Sequence, residues 1–192
     1  MKKDIILAGV GGQGILTIAA VIGTAALEMG LNLKQAEVHG MSQRGGDVQS
    51  NLRLSSGRIY SDLIPRGEAD IVISMEPMEG LRYLPWLRPG GTIVCNTVPF
   101  VNIDNYPEAE KIEKAYADGG FRTVMLDADA MAREAGSPRS SNIVLLGAAA
   151  PFLDIDADRL RRALDTCFGA KGEAVLEANR KAFEAGLQFA KA

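Results

Sequence analysis

The stretch that decides the fold is Gly9-Val10-Gly11-Gly12-Gln13-Gly14, which stands between a short apolar run and a long one. Residues 4–8 (D-I-I-L-A) are typical of a buried strand, and residues 14–29 are apolar on all sides, as in a buried helix. Glycines at such a junction permit positive φ and the close approach of a ligand, and the helix N-terminus offers free N–H groups to an anion. This strand, glycine loop and helix predict the first unit of an α/β fold.

Strands and helices alternate along the rest of the chain. The pattern predicts strands over residues 31–38, 69–75, 92–96 and 121–126, and helices over 77–87, 107–118, 127–136, 142–152, 157–168 and 172–190. Residues 48–54 alternate between apolar and polar, and a Ser56-Gly57 turn followed by residues 58–63 predicts a β-hairpin. We therefore expect a single domain over residues 1–192. Its fold class is α/β, a three-layer Rossmann-like domain with a mostly parallel, mixed sheet, one β-hairpin and a helical C-terminus.

Composition excludes several classes of protein. The 192 residues carry a net charge of −3, so no basic field favours nucleic acid. Two cysteines, Cys95 and Cys167, stand far apart and His39 is the only histidine, which argues against a disulfide framework, a metal site or an iron–sulfur cluster held by this chain. Asp4 interrupts the apolar run that follows Lys2 and Lys3, so we expect neither a signal peptide nor a membrane span but a reduced, cytoplasmic protein.

The glycine loop fits the G-x-G-x-x-G pattern, which leaves three interpretations open. One is a phosphate or nucleotide site, and another is a tight turn that binds nothing. The third, a true NAD site, needs an acidic residue at the end of the second strand to hold the ribose. Glu37 is the only acidic residue in that region, and it falls inside the predicted strand rather than at its end.

A second loop, residues 39–46 (H-G-M-S-Q-R-G-G), is unusually rich in functional side chains between glycines. We expect it to lie beside the glycine loop, because the carboxyl ends of strands in an open α/β sheet face one crevice. Arg44 suits a phosphate or carboxylate, and His39 is a candidate proton carrier. In the alternative interpretation the loop docks on a partner protein, with Met41 and Arg44 as contact residues.

Other polar residues have ordinary structural explanations, and no Ser, Cys or His constellation for nucleophilic catalysis occurs. Cys95 ends an apolar strand, as a small core residue would. Asp127 and Asp129 follow a strand, where a helix cap explains them as well as a crevice does. The cluster of Arg159, Arg161 and Arg162 is typical of a solvated helix face.

Four segments together resemble one family, the small, gamma-type subunits of the 2-oxoacid:ferredoxin oxidoreductases. They are G-V-G-G-Q-G-I at residues 9–15, E-V-H-G-M-S-Q-R-G-G at 37–46, A-D-I-V-I-S-M-E-P at 69–77 and R-S-S-N-I-V-L-L-G at 139–147. The closing helix, with Asn179, Lys181, Ala182 and Phe183, extends the resemblance nearly end to end. The form of the second loop is most similar to the beta subunit of the indolepyruvate enzymes.

The resemblance implies a division of labour between two subunits. Such enzymes decarboxylate a 2-oxoacid on thiamine diphosphate, pass electrons through [4Fe–4S] clusters to ferredoxin and release an acyl-CoA. Thiamine diphosphate and the clusters are expected on a large partner subunit, so this chain should be inactive alone and could form a homodimer when isolated. The implied contacts to coenzyme A or to the partner fall on Gly9, Gly11, Gly12, Gln13, Gly14, His39, Arg44, Gly45 and Gly46. A free-standing NAD(P)-type oxidoreductase and a ligand-free interaction subunit remain the alternatives.

Overall fold

One six-stranded sheet organises the chain, and the computed structural model describes residues 1–39 and 45–191. The strands are β1 (Lys2–Val10), β2 (Asn32–His39), β3 (Asp47–Ser55), β4 (Ala69–Ser74), β5 (Leu87–Asn96) and β6 (Arg122–Leu126). Their order across the sheet is β2-β3-β1-β4-β5-β6. β1, β4, β5 and β6 run parallel, whereas β3 pairs antiparallel with both β1 and β2. The expected mixed α/β sheet is confirmed.

Seven α-helices cover the sheet or follow it in the described part of the chain. They are α1 (Ile15–Glu28), α2 (Pro77–Tyr83), α3 (Ala109–Asp118), α4 (Ala128–Glu134), α5 (Ser141–Ala149), α6 (Ala157–Phe168) and α7 (Glu173–Phe189). The helix predicted over residues 77–87 is shorter than expected, since Pro85 lies in a separate 3₁₀ turn and residue 87 already belongs to β5.

The sheet separates two apolar cores of unequal size. Ile5 and Leu7 of β1 belong to the larger core, with α1, α5, α6 and α7. Ile6 and Ala8 belong to the smaller core on the opposite face, with α2 and α3. Because β1 is buried on both faces, its sequence is a continuous apolar run rather than an alternating one.

The two C-terminal helices of the larger core, α5 and α7, approach each other at two glycines. A Cβ at Gly147 would overlap the Phe183 carbonyl oxygen, and one at Gly186 would overlap that of Val144. Both neighbours are helix backbone, which cannot rotate away as the end of a side chain can. Glycine at these two positions therefore sets how closely the helices pack.

The predicted hairpin is wrong in its second strand. Residues 48–54 do form a strand, β3, but its hairpin partner is β2, with His39 opposite Val48. Residues 58–63 are not a strand, and a side chain rather than a neighbouring strand donates to two of their carbonyl groups. Arg53 donates to the carbonyls of Ser61 and Leu63 at 3.2 and 2.9 Å.

Candidate functional site

The glycine loop lies at the carboxyl edge of the sheet, where β1 ends and α1 begins. Gly12 and Gly14 have φ of 102° and 80°, a region that side chains other than glycine rarely adopt. Among the described residues, no atom accepts a hydrogen bond from the N–H groups of Gly12, Gly14 or Ile15. These donors, at the positive end of the α1 dipole, are suited to an anion.

Three candidate residues of this loop also make contacts within the chain. The side chain of Gln13 accepts a hydrogen bond from the Val10 N–H at 2.7 Å, which closes the loop on itself. A Cβ at Gly9 would lie 2.7 Å from that same Gln13 oxygen. At Gly14, a Cβ would lie 2.6 Å from the Asn142 amide nitrogen, which donates to the Gly14 carbonyl at 3.1 Å. Gly9, Gln13 and Gly14 therefore shape the loop from within.

The end of the second loop lies against the glycine loop, as the sequence predicts. Gly11 donates its N–H to the Gly46 carbonyl at 2.9 Å. On its other side, the Asn102 side chain donates to the Gly45 carbonyl at 2.6 Å. Arg44 lies outside the described residues, as do positions 40–43. Its suggested role in binding an anion stays a prediction.

One cavity of about 440 Å³, the glycine-loop cavity, separates the glycine loop from β2. Exposed Glu37 and His39 line it together with Gly11, Gly12 and Val48. In dinucleotide-binding domains the second strand lies next to the first, but here β3 stands between them. β2 is therefore two strand spacings from β1, about 10 Å. This geometry disfavours Glu37 as the ribose ligand of an NAD site.

A second cavity of about 550 Å³, the arginine cavity, opens on the other face of the glycine loop. Gly12 and Gly14 line it from one side, and Arg139 and Lys171 line it from the other. Its described lining includes no carboxylate, and Ser140 at the start of α5 adds a second helix N-terminus. The sequence analysis did not single out Arg139 as a functional residue. Its R-S-S-N segment was noted only as part of the family resemblance.

A larger cavity of about 750 Å³ lies between α4, α6 and α7, away from both loops. Most of its charged side chains are paired with one another. Arg161 donates to Glu184 at 2.6 Å, and Arg180 donates to Asp165 at 2.9 Å. We interpret this groove as a structural ion-pair network rather than as a ligand site.

The other polar residues singled out in the sequence are structural. Cys95 is fully buried, and burial raises the pKa of its thiol to about 12, so it is no thiolate near neutral pH. Asp127 caps α4 by accepting from the Ala130 N–H at 2.7 Å. Asp129 accepts from the Asn96 amide at 3.0 Å. Arg161 and Arg162 lie on a partly exposed helix face and pair with carboxylates there.

Sequence reasoning also missed a buried carboxylate, Glu76, in the M-E-P segment after β4. Its side chain is 1% exposed. It accepts hydrogen bonds from the Glu79 N–H at 2.8 Å, from the Phe100 N–H at 3.2 Å and from the Tyr106 hydroxyl. Burial, together with this carboxylate, raises the pKa of Tyr106 well above its usual range. The sequence does contain one sign of this residue: a glutamate that follows an apolar strand and directly precedes a proline that starts a helix.

Within residues 1–39 and 45–191, no group of three or more His, Cys, Asp or Glu side chains is arranged to hold a metal ion. Nor does any helix there combine the length and apolar character that crossing a membrane requires.

Comparison with known proteins identifies the family. The model of the pyruvate ferredoxin/flavodoxin oxidoreductase family matches residues 4–189. Indolepyruvate oxidoreductase subunit IorB of Thermococcus kodakarensis is 35% identical over all of this chain and 98% of its own length. The IorB subunit of Pyrococcus horikoshii is 36% identical, with the same coverage.

Solved structures agree. The 2-oxoglutarate:ferredoxin oxidoreductase of Magnetococcus marinus, with 2-oxoglutarate, coenzyme A and succinyl-CoA bound, is 27% identical with a TM-score of 0.78. The match covers 99% of this chain and 31% of that longer one. The keto/oxoacid ferredoxin oxidoreductase gamma subunit of Geobacter sulfurreducens shares the fold, at 24% identity and a TM-score of 0.72 over 98% of both chains. The chain therefore belongs to the pyruvate ferredoxin/flavodoxin oxidoreductase family of oxidoreductases and is similar to IorB subunits.

Proposed function

We propose that this chain is the small subunit of an enzyme that oxidatively decarboxylates indolepyruvate, or another aryl 2-oxoacid, to an acyl-CoA with ferredoxin as electron acceptor. The observation that carries the proposal is the near full-length similarity to IorB subunits, at 35% identity for Thermococcus kodakarensis and 36% for Pyrococcus horikoshii. The 2-oxoglutarate and ketoisovalerate relatives are less similar, at 24–29% identity. That difference favours an aryl substrate.

A large partner subunit supplies the thiamine diphosphate and the [4Fe–4S] clusters in this proposal. Support comes from relatives in which the same unit is part of a longer chain. Ketoisovalerate oxidoreductase subunit VorA of Methanothermobacter thermautotrophicus matches 96% of this chain but only 36% of its own length. Two cysteines in this chain are too few for the four thiolates of a [4Fe–4S] cluster. Cluster and thiamine chemistry then belong to the partner, and this chain contributes binding surface.

Coenzyme A is the ligand that we assign to the glycine loop. The residues present fit its phosphates. The N–H groups of Gly12 and Gly14 have no acceptor among the described residues and would donate to a phosphate, and Arg139 and Lys171 add positive charge with no described carboxylate beside them. Arg44 would add a bidentate contact from the second loop. Coenzyme A supplies the thiol that accepts the acyl group. This chain's contribution is to bind the phosphates and so orient the thiol toward the partner.

Purification from the native cell tests the assignment to a complex. We expect a larger subunit that contains thiamine diphosphate and iron to co-elute with this chain, and the complex to reduce ferredoxin with indolepyruvate and coenzyme A. The specificity constant should be higher for indolepyruvate than for 2-oxoglutarate or pyruvate. A chain that elutes as an active monomer, or whose melting midpoint rises only with NAD(P), contradicts the proposal.

Replacing Arg44 by alanine tests the assignment of coenzyme A. Loss of a charge-assisted contact should raise the KM for coenzyme A in the assembled enzyme by roughly ten- to a hundredfold, with little change in the KM for the 2-oxoacid. Arg162→Ala is the control, because Arg162 lies on the exposed face of α6 and pairs with Glu28 at 3.8 Å.

Arg139→Ala distinguishes the two cavities in the same assay. A rise in KM for coenzyme A in Arg139→Ala but not in Arg44→Ala would move the phosphates entirely into the arginine cavity. An unchanged KM for coenzyme A in both variants would show that coenzyme A does not bind at the glycine loop.

A further inference from the structure

Three consecutive residues at the end of the second loop are each held by a different part of the chain. We call residues 45–47 the return residues. Gly46 accepts from the Gly11 N–H at 2.9 Å, and Gly45 accepts from the Asn102 side chain at 2.6 Å. The carboxylate of Asp47 accepts from the Tyr83 hydroxyl at 3.2 Å. The glycine loop, the segment after β5 and helix α2 thus converge on one short stretch of backbone.

Asn102 lies in residues 97–108, the β5–α3 segment, which contains no strand or helix. Two contacts to the buried Glu76 carboxylate fix this segment on either side of Asn102. The Phe100 N–H donates to it at 3.2 Å, and the Tyr106 hydroxyl donates to the same oxygen. A segment with no regular structure is therefore anchored to the interior two residues before Asn102 and four residues after it.

Glu76 is an unusual choice for the position it occupies. It is the N-cap of α2, and its Oε2 accepts from the Glu79 N–H at 2.8 Å. N-caps are normally the shorter Ser, Thr, Asp or Asn, which suffice for that bond. The longer glutamate leaves Oε1 free to accept from the β5–α3 segment. Three donors also satisfy a carboxylate that is otherwise costly to bury. The M-E-P segment thus has a role beyond starting a helix.

We propose that Glu76 and Asn102 are positioning residues for the return residues. Glu76 fixes the β5–α3 segment, and Asn102 transmits that position to Gly45, which is covalently bonded to Arg44. Neither residue contacts a substrate in this scheme. The consequence for coenzyme A rests on the proposed function, in which Arg44 binds its phosphates.

The first test replaces Asn102 by alanine in the assembled enzyme. We expect the KM for coenzyme A to rise roughly three- to tenfold while kcat changes by less than about twofold, because the hydrogen bond that holds Gly45, the residue next to Arg44, is lost. Asn32→Ala is the matched control: Asn32 donates to the Gly57 carbonyl at 3.1 Å, in the same type of exposed contact at the opposite edge of the sheet. Equal effects from the two variants, or no effect from Asn102→Ala, overturn the proposal.

The second test asks whether Glu76 acts through Asn102. Glu76→Gln keeps the side chain's size but replaces one acceptor oxygen with a donor, so it should raise the KM for coenzyme A to a similar extent. Combining it with Asn102→Ala should add little, since both changes release the same segment. Fully multiplicative effects would show that the two residues act independently. If Glu76→Gln does not fold, Asn102→Ala still decides the role of Asn102.

A third measurement separates this inference from the proposed function. Hydrogen exchange of the isolated chain needs no partner and no substrate. Peptides that cover residues 45–50 should exchange at least about threefold faster in Asn102→Ala than in Asn32→Ala. Unchanged exchange refutes positioning even if the enzyme uses coenzyme A. Faster exchange supports positioning even if the complex proves to use another acyl acceptor.

Discussion

Alanine at position 186 is expected to lower the free energy of unfolding by about 3 kcal/mol. The added methyl group would overlap the Val144 carbonyl oxygen and lie 2.8 Å from the Ala148 nitrogen, both of them backbone atoms of α5. The intrinsic preference of a helix for alanine over glycine, about 1 kcal/mol, is too small to offset the separation of α5 and α7. Urea denaturation of the isolated chain measures the change.

Gly169→Ala is the control for this substitution. Gly169 has helical φ and ψ of −56° and −38°, and no heavy atom lies within 4 Å of its added Cβ. The free energy of unfolding of this variant should stay level or rise slightly, because alanine restricts the conformations of the unfolded chain. A loss below about 1 kcal/mol in Gly186→Ala would show that α5 and α7 separate at little cost.

Replacing Asp4 by asparagine should cost about 3 kcal/mol, because it leaves the Arg53 charge without its main partner. Asp4 is 1% exposed and accepts from Arg53 Nε and Nη2 at 2.8 and 3.0 Å. The same guanidinium holds residues 61–63 against β3, so these residues should also lose protection from hydrogen exchange. Asparagine keeps the shape of the side chain, and the measured loss therefore reports on charge rather than on packing.

Asp62→Asn is the matched control for the buried pair. Asp62 pairs with Lys34 at 2.7 Å, but its side chain is 56% exposed. Exposed pairs contribute at most about 1 kcal/mol, so this variant should unfold close to the wild-type midpoint. Similar losses in both variants would mean that burial adds nothing to the Asp4–Arg53 contact.

Much of the fold was predictable because its signals are local. The alternation of apolar runs with glycine and proline stops gave the strands and helices, and the glycine loop gave the first β-α unit. The prediction that residues 58–63 form the second strand of a hairpin was wrong. Its local signal, Ser56-Gly57 between two short runs, competes with contacts that are distant in sequence. Arg53 pairs with Asp4, 49 residues away, and the same guanidinium donates to the carbonyls of Ser61 and Leu63.

The candidate site was only partly predictable for the same reason. That the ends of the two loops are neighbours follows from strand direction, which a sequence reveals. The contacts of Gly9 and Gly14 within the chain cannot be predicted in this way, because Gly14 is confined by Asn142, 128 residues further along. Glu76 was missed because one glutamate gives no sign of burial until the β5–α3 segment lies over it.

The unequal size of the two cores has a consequence for how the native state opens. Free energies of local opening follow the amount of buried apolar contact, and the face that carries α2 and α3 buries fewer apolar side chains among the described residues. Those helices and the β5–α3 segment should open in brief excursions while β1, α5 and α7 stay closed. The part of the molecule that contacts the return residues is then also the part that can release them without global unfolding.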